Sequence, residues 1–174
     1  MLIETISGIA GLRVFGSPMG PLIAVTTDDS LPANQRVDPH HWADQVRSHG
    51  WLLQLQPSIA RSDGTLLPRT THLTITPVTE GALSELTAAL ARSADEVRGV
   101  APVTPADVLG SLPPLGDAVL DSDTSFGPLT AMGIGAGGGL PHRMAPLLAM
   151  MEGLPASVAE RLLTELLARL VEPG

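Results

Sequence analysis

RTTHLTIT, residues 69–76, decides how the rest of the chain is read. Thr71, Leu73 and Ile75 fall on one side of an extended backbone, and Thr70, His72, Thr74 and Thr76 on the other. Alternation of this kind, with so many β-branched residues, marks a strand that buries one face. Pro77 ends the stretch. His72 stands mid-strand, opposite in parity to Leu73 and Ile75.

Working outward, WLLQLQ at 51–56 reads as a neighbouring strand, and 57–68, with Pro57, Gly64 and Pro68, as a loop. Further upstream, LRVFG at 12–16 is a short alternating strand. Ser17-Pro18-Met19-Gly20 has turn chemistry, and Leu22-Ile23-Ala24-Val25 suits a buried strand within 21–27. These two runs are close enough to pair as a hairpin. Residues 2–8 read as the tail of a helix ended by Gly8 and Gly11. After a loop at 28–37, Asp38 precedes Pro39, a favoured N-cap and first-turn pair, so a helix is expected to about Ser48, stopping at Gly50. Val37, Trp42 and Val46 are spaced to face a sheet. Thr79 is placed to cap a helix over 80–98, with Leu83, Leu86, Leu90 and Val97 as its apolar stripe. The order strand, strand, helix, strand, strand, helix predicts an α/β (α+β) two-layer sandwich. Its sheet is mainly antiparallel, with helices on one face and further helices at the C-terminus.

Past residue 99 the composition changes. Residues 100–141 are rich in proline and glycine, including Pro113-Pro114 and Gly137-Gly138-Gly139, and read as a linker with a short helix starting at Thr104-Pro105. Helices are expected at 143–152 and 157–171, the second with Ser157 and Glu160 at capping-box spacing and a face of Leu162, Leu163, Leu166, Leu167 and Leu170. The expected organisation is a domain at 1–99, the linker at 100–141, and a helical extension at 142–174 docking on the domain.

Charge and composition bound the function. Net charge is −8 over 174 residues, and the ten cationic side chains, all arginine, are scattered. That argues against a nucleic-acid partner, which demands clustered positive charge. No run of 18 apolar residues is present, so no membrane span is expected, and the N-terminus lacks a signal-peptide layout. The chain has no cysteine, which removes disulfides and thiolate chemistry and fits a cytoplasmic setting. It also has no lysine, so no side chain here can form a Schiff base with an aldehyde cofactor.

The ordered set Gly11-Leu12-Arg13-Val14, Gly16-Ser17-Pro18, Arg47-Ser48-His49-Gly50-Trp51 leading into Leu53, and His72-Leu73-Thr74-Ile75-Thr76 resembles a known domain. This is the C-terminal small domain of fold-type-I pyridoxal-phosphate (PLP) dependent enzymes. Within them the likeness is to the group containing sphingosine-1-phosphate lyase and the aromatic and glutamate decarboxylases. LLAMMEGLPASVAERLLTELLARL resembles the closing segment of bacterial lyase-like members, and 100–130 is the weakest part. The resemblance implies a C-terminal fragment or subunit of a PLP-dependent carbon–carbon lyase or decarboxylase, inactive alone. It implies PLP as cofactor, not covalently bindable by this chain, and a separate large-domain chain as partner, with a homodimer as a further option. A non-catalytic α/β interaction module is the rival reading. At the position of Leu52 the family often carries His. At His72 the resemblance implies a contact to a substrate phosphate or carboxylate, against the plain reading of a half-exposed strand histidine.

No catalytic residue and no metal site is expected from the remaining candidates. His40 and His41, beside Asp38 and Asp44, read as a solvated helix N-terminus with a surface ion pair. Gly133-Ile134-Gly135-Ala136-Gly137-Gly138 matches G-x-G-x-x-G in form, but no βαβ unit encloses it, so it reads as a linker, with His142 and Arg143 close by as weak phosphate holders. Trp51 reads as a core anchor, and Met144, Met150 and Met151 as packing. Asp28-Asp29 and Asp121/Asp123 are loop carboxylates with no acid–base partner, and there is no G-x-S-x-G elbow.

Overall fold

A computed structural model describes residues 2–110 and 141–171. Contacts divide the chain into two compact units, 1–102 and 103–174.

The first unit is the expected sandwich. Strands β1 (Leu12–Val14), β2 (Leu22–Thr27), β3 (Gln54–Gln56) and β6 (Thr70–Thr74) form one sheet in the order β1-β2-β6-β3, every neighbouring pair antiparallel. RTTHLTIT therefore lies centrally, between β2 and β3. Its alternation is realised, with Thr71 and Leu73 buried towards the core and His72 and Thr74 on the other side. Helices α1 (Leu2–Ser7), α2 (Pro39–Ser48) and α4 (Leu83–Val97) pack Ile6, Trp42, Val46, Leu86 and Leu90 against Ile23, Val25 and Leu73. Trp42 is fully buried, and its indole N–H donates to Leu90 O at 2.9 Å, which pins α2 to α4. Trp51 packs partly buried against the same core.

Polar contacts fix where α2 enters. Asp38 accepts from His40 N at 3.0 Å and His41 N at 2.9 Å, an N-cap of the expected kind. Its other oxygen lies 3.7 Å from Arg69 Nη1, and both side chains are largely buried. Thr71 Oγ1 donates to Pro39 O, and Thr27 Oγ1 to Val37 O. Gly11 closes the other side: its φ is +97°, and an added Cβ would stand 2.6 Å from Gln35 O. Its carbonyl accepts from both Asp28 N and Val37 N. Glycine is required there both for the left-handed backbone and for the close approach.

Several boundaries differ from expectation, each for a local reason. The strand expected over 51–56 is confined to Gln54–Gln56, because Trp51 N is used to close the end of α2 on Val46 O. The loop at 57–68 contains a small hairpin, β4 (Ile59–Ala60) with β5 (Leu66–Leu67), turned by Asp63 accepting from Thr65 N and Oγ1. The helix expected at 80–98 is two: α3 (Pro77–Gly81), then α4 after a break at Ala82. Thr76 is the N-cap of α3, and Thr79 is its capping-box partner at the third helical position, not the cap itself. A 3-10 turn at Ala33–Gln35 interrupts the loop at 28–37.

The second unit has its own core. The short helix at Thr104-Pro105 forms as α5 (Pro105–Leu109), with a Thr104–Asp107 capping box. Helices α6 (Ala145–Gly153) and α7 (Ala156–Val171) bury Leu147, Met150, Leu162 and Leu166 with Val108. An added Cβ at Gly153 would meet Pro105 Cβ at 2.6 Å, so the bare backbone there is what lets α5 lie against α6. The expected cap at Ser157 is displaced: Pro155 O receives Val158 N and Ala159 N, which puts Ser157 inside the helix. Residues 111–140, most of the expected linker, lie outside the described residues.

Losing Asp38 removes a cap and leaves a largely buried arginine without this carboxylate. Asp38→Ala is expected to lower unfolding free energy by about 3 kcal/mol in urea denaturation. Asp29→Ala, at the exposed Asp29–Arg36 pair, is expected to change it by less than about 0.5 kcal/mol.

Candidate functional site

The sheet has two unlike faces. Among the described residues of the first unit, the helices bury their apolar sides on the face of Val25, Thr71 and Leu73. On the opposite face, the pairing Val14↔Val25 continues through Phe15 N donating to Ala24 O at 2.8 Å. Ala24 pairs with His72, and His72 with Gln54. Phe15, just past the end of β1, thus lines up with Ala24, His72 and Gln54 in one row across the sheet. In the next row Thr26 and Thr70 are buried, and Thr26 Oγ1 donates to Arg69 O at 2.8 Å.

His72 is half-buried in this setting, and its Nε2 lies 3.1 Å from Thr70 Oγ1. Burial lowers the imidazole pKa from its ordinary 6.5. The ring is therefore neutral at pH 7 and meets a ligand by hydrogen bonding, not by charge. Strand register puts Arg13 on the same face, and its Cζ sits 6.0 Å from the centroid of the Phe15 ring. Neither Arg13 nor Phe15 was singled out from sequence as a site residue. Their shared parity with Ala24 and His72 follows from strand pairing, which no local pattern supplies.

Other candidates resolve differently. His40 is fully buried, not solvated as the sequence suggested, and its Nε2–H donates to Gln56 O at 2.8 Å. It ties the first turn of α2 to β3, because the N-cap contacts turn that face of the helix inward. Asp44 is buried also. His41 is half-buried with Nε2 at 3.1 Å from Ala101 O. Asp28 accepts from Ser30 N and Oγ, and these bonds hold its carboxyl below the usual range, with smaller help from Arg13 and Arg36. Met150 is buried in the second core, with Met144 and Met151 packed on it. Leu52, where the family often carries His, is exposed. His142 and Arg143 are exposed, while the glycine run at 133–138, Asp121 and Asp123 lie outside the described residues. Among the described residues, no group of three or more His, Asp or Glu is arranged for a metal ion. No helix of the described residues is long and apolar enough to cross a membrane.

Comparison with known proteins adds one finding. Residues 105–169 match the family described as "Pyridoxal-dependent enzyme, C-terminal putative HTH domain". This region is similar to the C-terminal part of pyridoxal-dependent enzymes, and it includes the tail whose sequence carried part of the resemblance. No curated protein matches the chain.

Because the unfolded imidazole holds its proton to higher pH than the folded one, the contribution of His72 is lost as pH falls below about 6.5. Stability is expected to rise with pH through this region. His72→Gln is expected to flatten that part of the slope in denaturation curves taken between pH 5 and about pH 8.

Proposed function

We propose that this chain supplies the C-terminal part of a PLP-dependent carbon–carbon lyase or decarboxylase, with His72 contacting the substrate. The match of residues 105–169 to the C-terminal region of pyridoxal-dependent enzymes carries the reading. The sandwich with one helix-covered face and one face bearing His72 agrees with it.

The residues present do not fit the cofactor itself. PLP is tethered through an amine side chain, and the chain contains no lysine. The cofactor-binding domain lies outside these 174 residues, whether in the same longer protein or on a separate chain. What this chain contributes is binding and orientation. Neutral His72, steadied by Thr70, offers one hydrogen bond, and Arg13 supplies the positive charge.

The helix-turn-helix label of the matching family raises nucleic acid as a partner. Charge weighs against it: residues 103–174 carry three arginines and eight acidic residues, and α6 has no basic residue at all. We read this unit as a packing module. A non-catalytic interaction role is the second reading, favoured by Leu163 at 45% and Leu167 at 62% exposure on one side of α7. Such leucines also suit a second copy of the chain.

Mixed with PLP, the lone chain with its N-terminal amine blocked is expected to show no aldimine absorbance. The same chain joined or co-expressed with its cofactor domain is expected to show it. In that assembly His72→Ala is expected to lower kcat/KM about tenfold or more with cofactor retained. A stable aldimine on the blocked lone chain would overturn the assignment. At physiological salt the chain is expected to leave duplex DNA unshifted in a gel-retardation assay, and a salt-sensitive shift would reverse the reading of the helical unit.

A further inference from the structure

Where β6 gives way to α3, the surface opens into a groove of about 380 Å³. Its floor is Leu2 of α1, Ile75 and Pro77 at the strand end, and Leu83 of α4. Leu2 and Ile75 are half-buried against the main core, and Ile75 N is fixed by donating to Pro21 O at 2.7 Å. Ile75 shares its parity with Leu73, so the groove stands on the helix side of the sheet, away from His72. The break between α3 and α4 at Ala82 leaves Thr79, Glu80 and Leu83 along one wall.

The polar groups of the lining differ in what they have left to offer. Thr76 and Thr79 are engaged with each other in the α3 capping box. Glu80 is exposed, and its carboxylate meets no hydrogen-bond or ion-pair partner among the described residues. Helices α1 and α3 and the first two turns of α4 carry no arginine, so no cation there offsets it.

An apolar floor with one free carboxylate at its rim complements a side chain that has an aliphatic stem and a cationic head. The groove is open on the side of Thr76, Pro77 and Glu80, all exposed. Pockets for free small molecules bury most of the ligand's surface, which an open groove cannot do. A polypeptide needs no such enclosure, because its remaining contacts lie outside the groove. We infer that this groove docks a partner polypeptide through an arginine next to an apolar residue. The stem and the apolar neighbour lie on Leu2, Ile75 and Leu83, and the guanidinium meets Glu80. Arginine suits the site better than lysine, because its planar fork takes a carboxylate in two parallel hydrogen bonds. The docking site is independent of the role given to His72, which faces the other side of the sheet.

The test uses the full chain with labelled methyl groups, titrated by NMR with three capped dipeptides: acetyl-Leu-Arg-amide, acetyl-Leu-citrulline-amide and acetyl-Gly-Arg-amide. Citrulline keeps the shape of arginine and loses its charge. The first probe is expected to shift the methyl signals of Leu2, Ile75 and Leu83 together and saturably. Removing the charge is expected to weaken binding about threefold, the size of an exposed ion pair. Removing the leucine side chain is expected to weaken it about fivefold. Glu80→Gln, a surface change, is expected to erase the difference between the arginine and citrulline probes while the remaining methyl spectrum stays as it was. High salt is expected to close the same gap. No saturable shift, equal binding of the two probes by the unaltered chain, or a gap that survives Glu80→Gln overturns the docking site. Concentration-dependent self-association abolished by Glu80→Gln overturns the choice of a foreign partner and gives the groove to a second copy of the chain.

Discussion

The first unit is organised around one carboxylate. Asp38 receives the first two amide groups of α2 and faces Arg69 across a largely dehydrated space. Burying charge is costly unless it is paired and hydrogen-bonded, and here both conditions are met. The arrangement sets the direction in which α2 leaves the loop, and that direction puts Trp42 and Val46 into the core. Pro39 and Val37 add carbonyls that receive Thr71 and Thr27, so a helix start is stitched to two strands by side chains that cannot slide. A shift of register by one residue in β6 would take Thr71 away from Pro39 and turn His72 into the core.

The same stitching accounts for the character of the second face. Arg69 reaches Asp38 with its side chain, while its carbonyl receives Thr26. Thr26 and Thr70 are thereby buried in a sheet row that carries no helix of this unit. Thr70 in turn steadies His72. A half-buried imidazole is thus held by a buried hydroxyl that the strand places beside it. Neutral His72 and cationic Arg13 divide hydrogen bonding and charge between them along the face.

The helical unit stands on separate grounds. Val108, Leu147, Met150 and Leu162 close a small core that depends on the missing side chain of Gly153. Its acidic balance weighs against a nucleic-acid surface, and its sequence is similar to the C-terminal region of pyridoxal-dependent enzymes. The absence of lysine is a covalent constraint that no folding can repair.

Much of this was legible in residue order. Alternation in 69–76, the Asp38-Pro39 start and the helical leucine spacing specify local structure, because each depends on neighbours within a few residues. The antiparallel two-layer architecture followed, as did the chemistry that lysine-free sequence excludes. Tertiary structure alone decided three matters. It buried His40, which stands beside His41 and Asp38 in sequence but whose partner Gln56 is 16 positions away. It paired Ile59–Ala60 with Leu66–Leu67 in a hairpin within 57–68. It aligned Phe15, Ala24 and His72 in one row, because strand register is fixed by contacts between segments about 10 to about 50 residues apart.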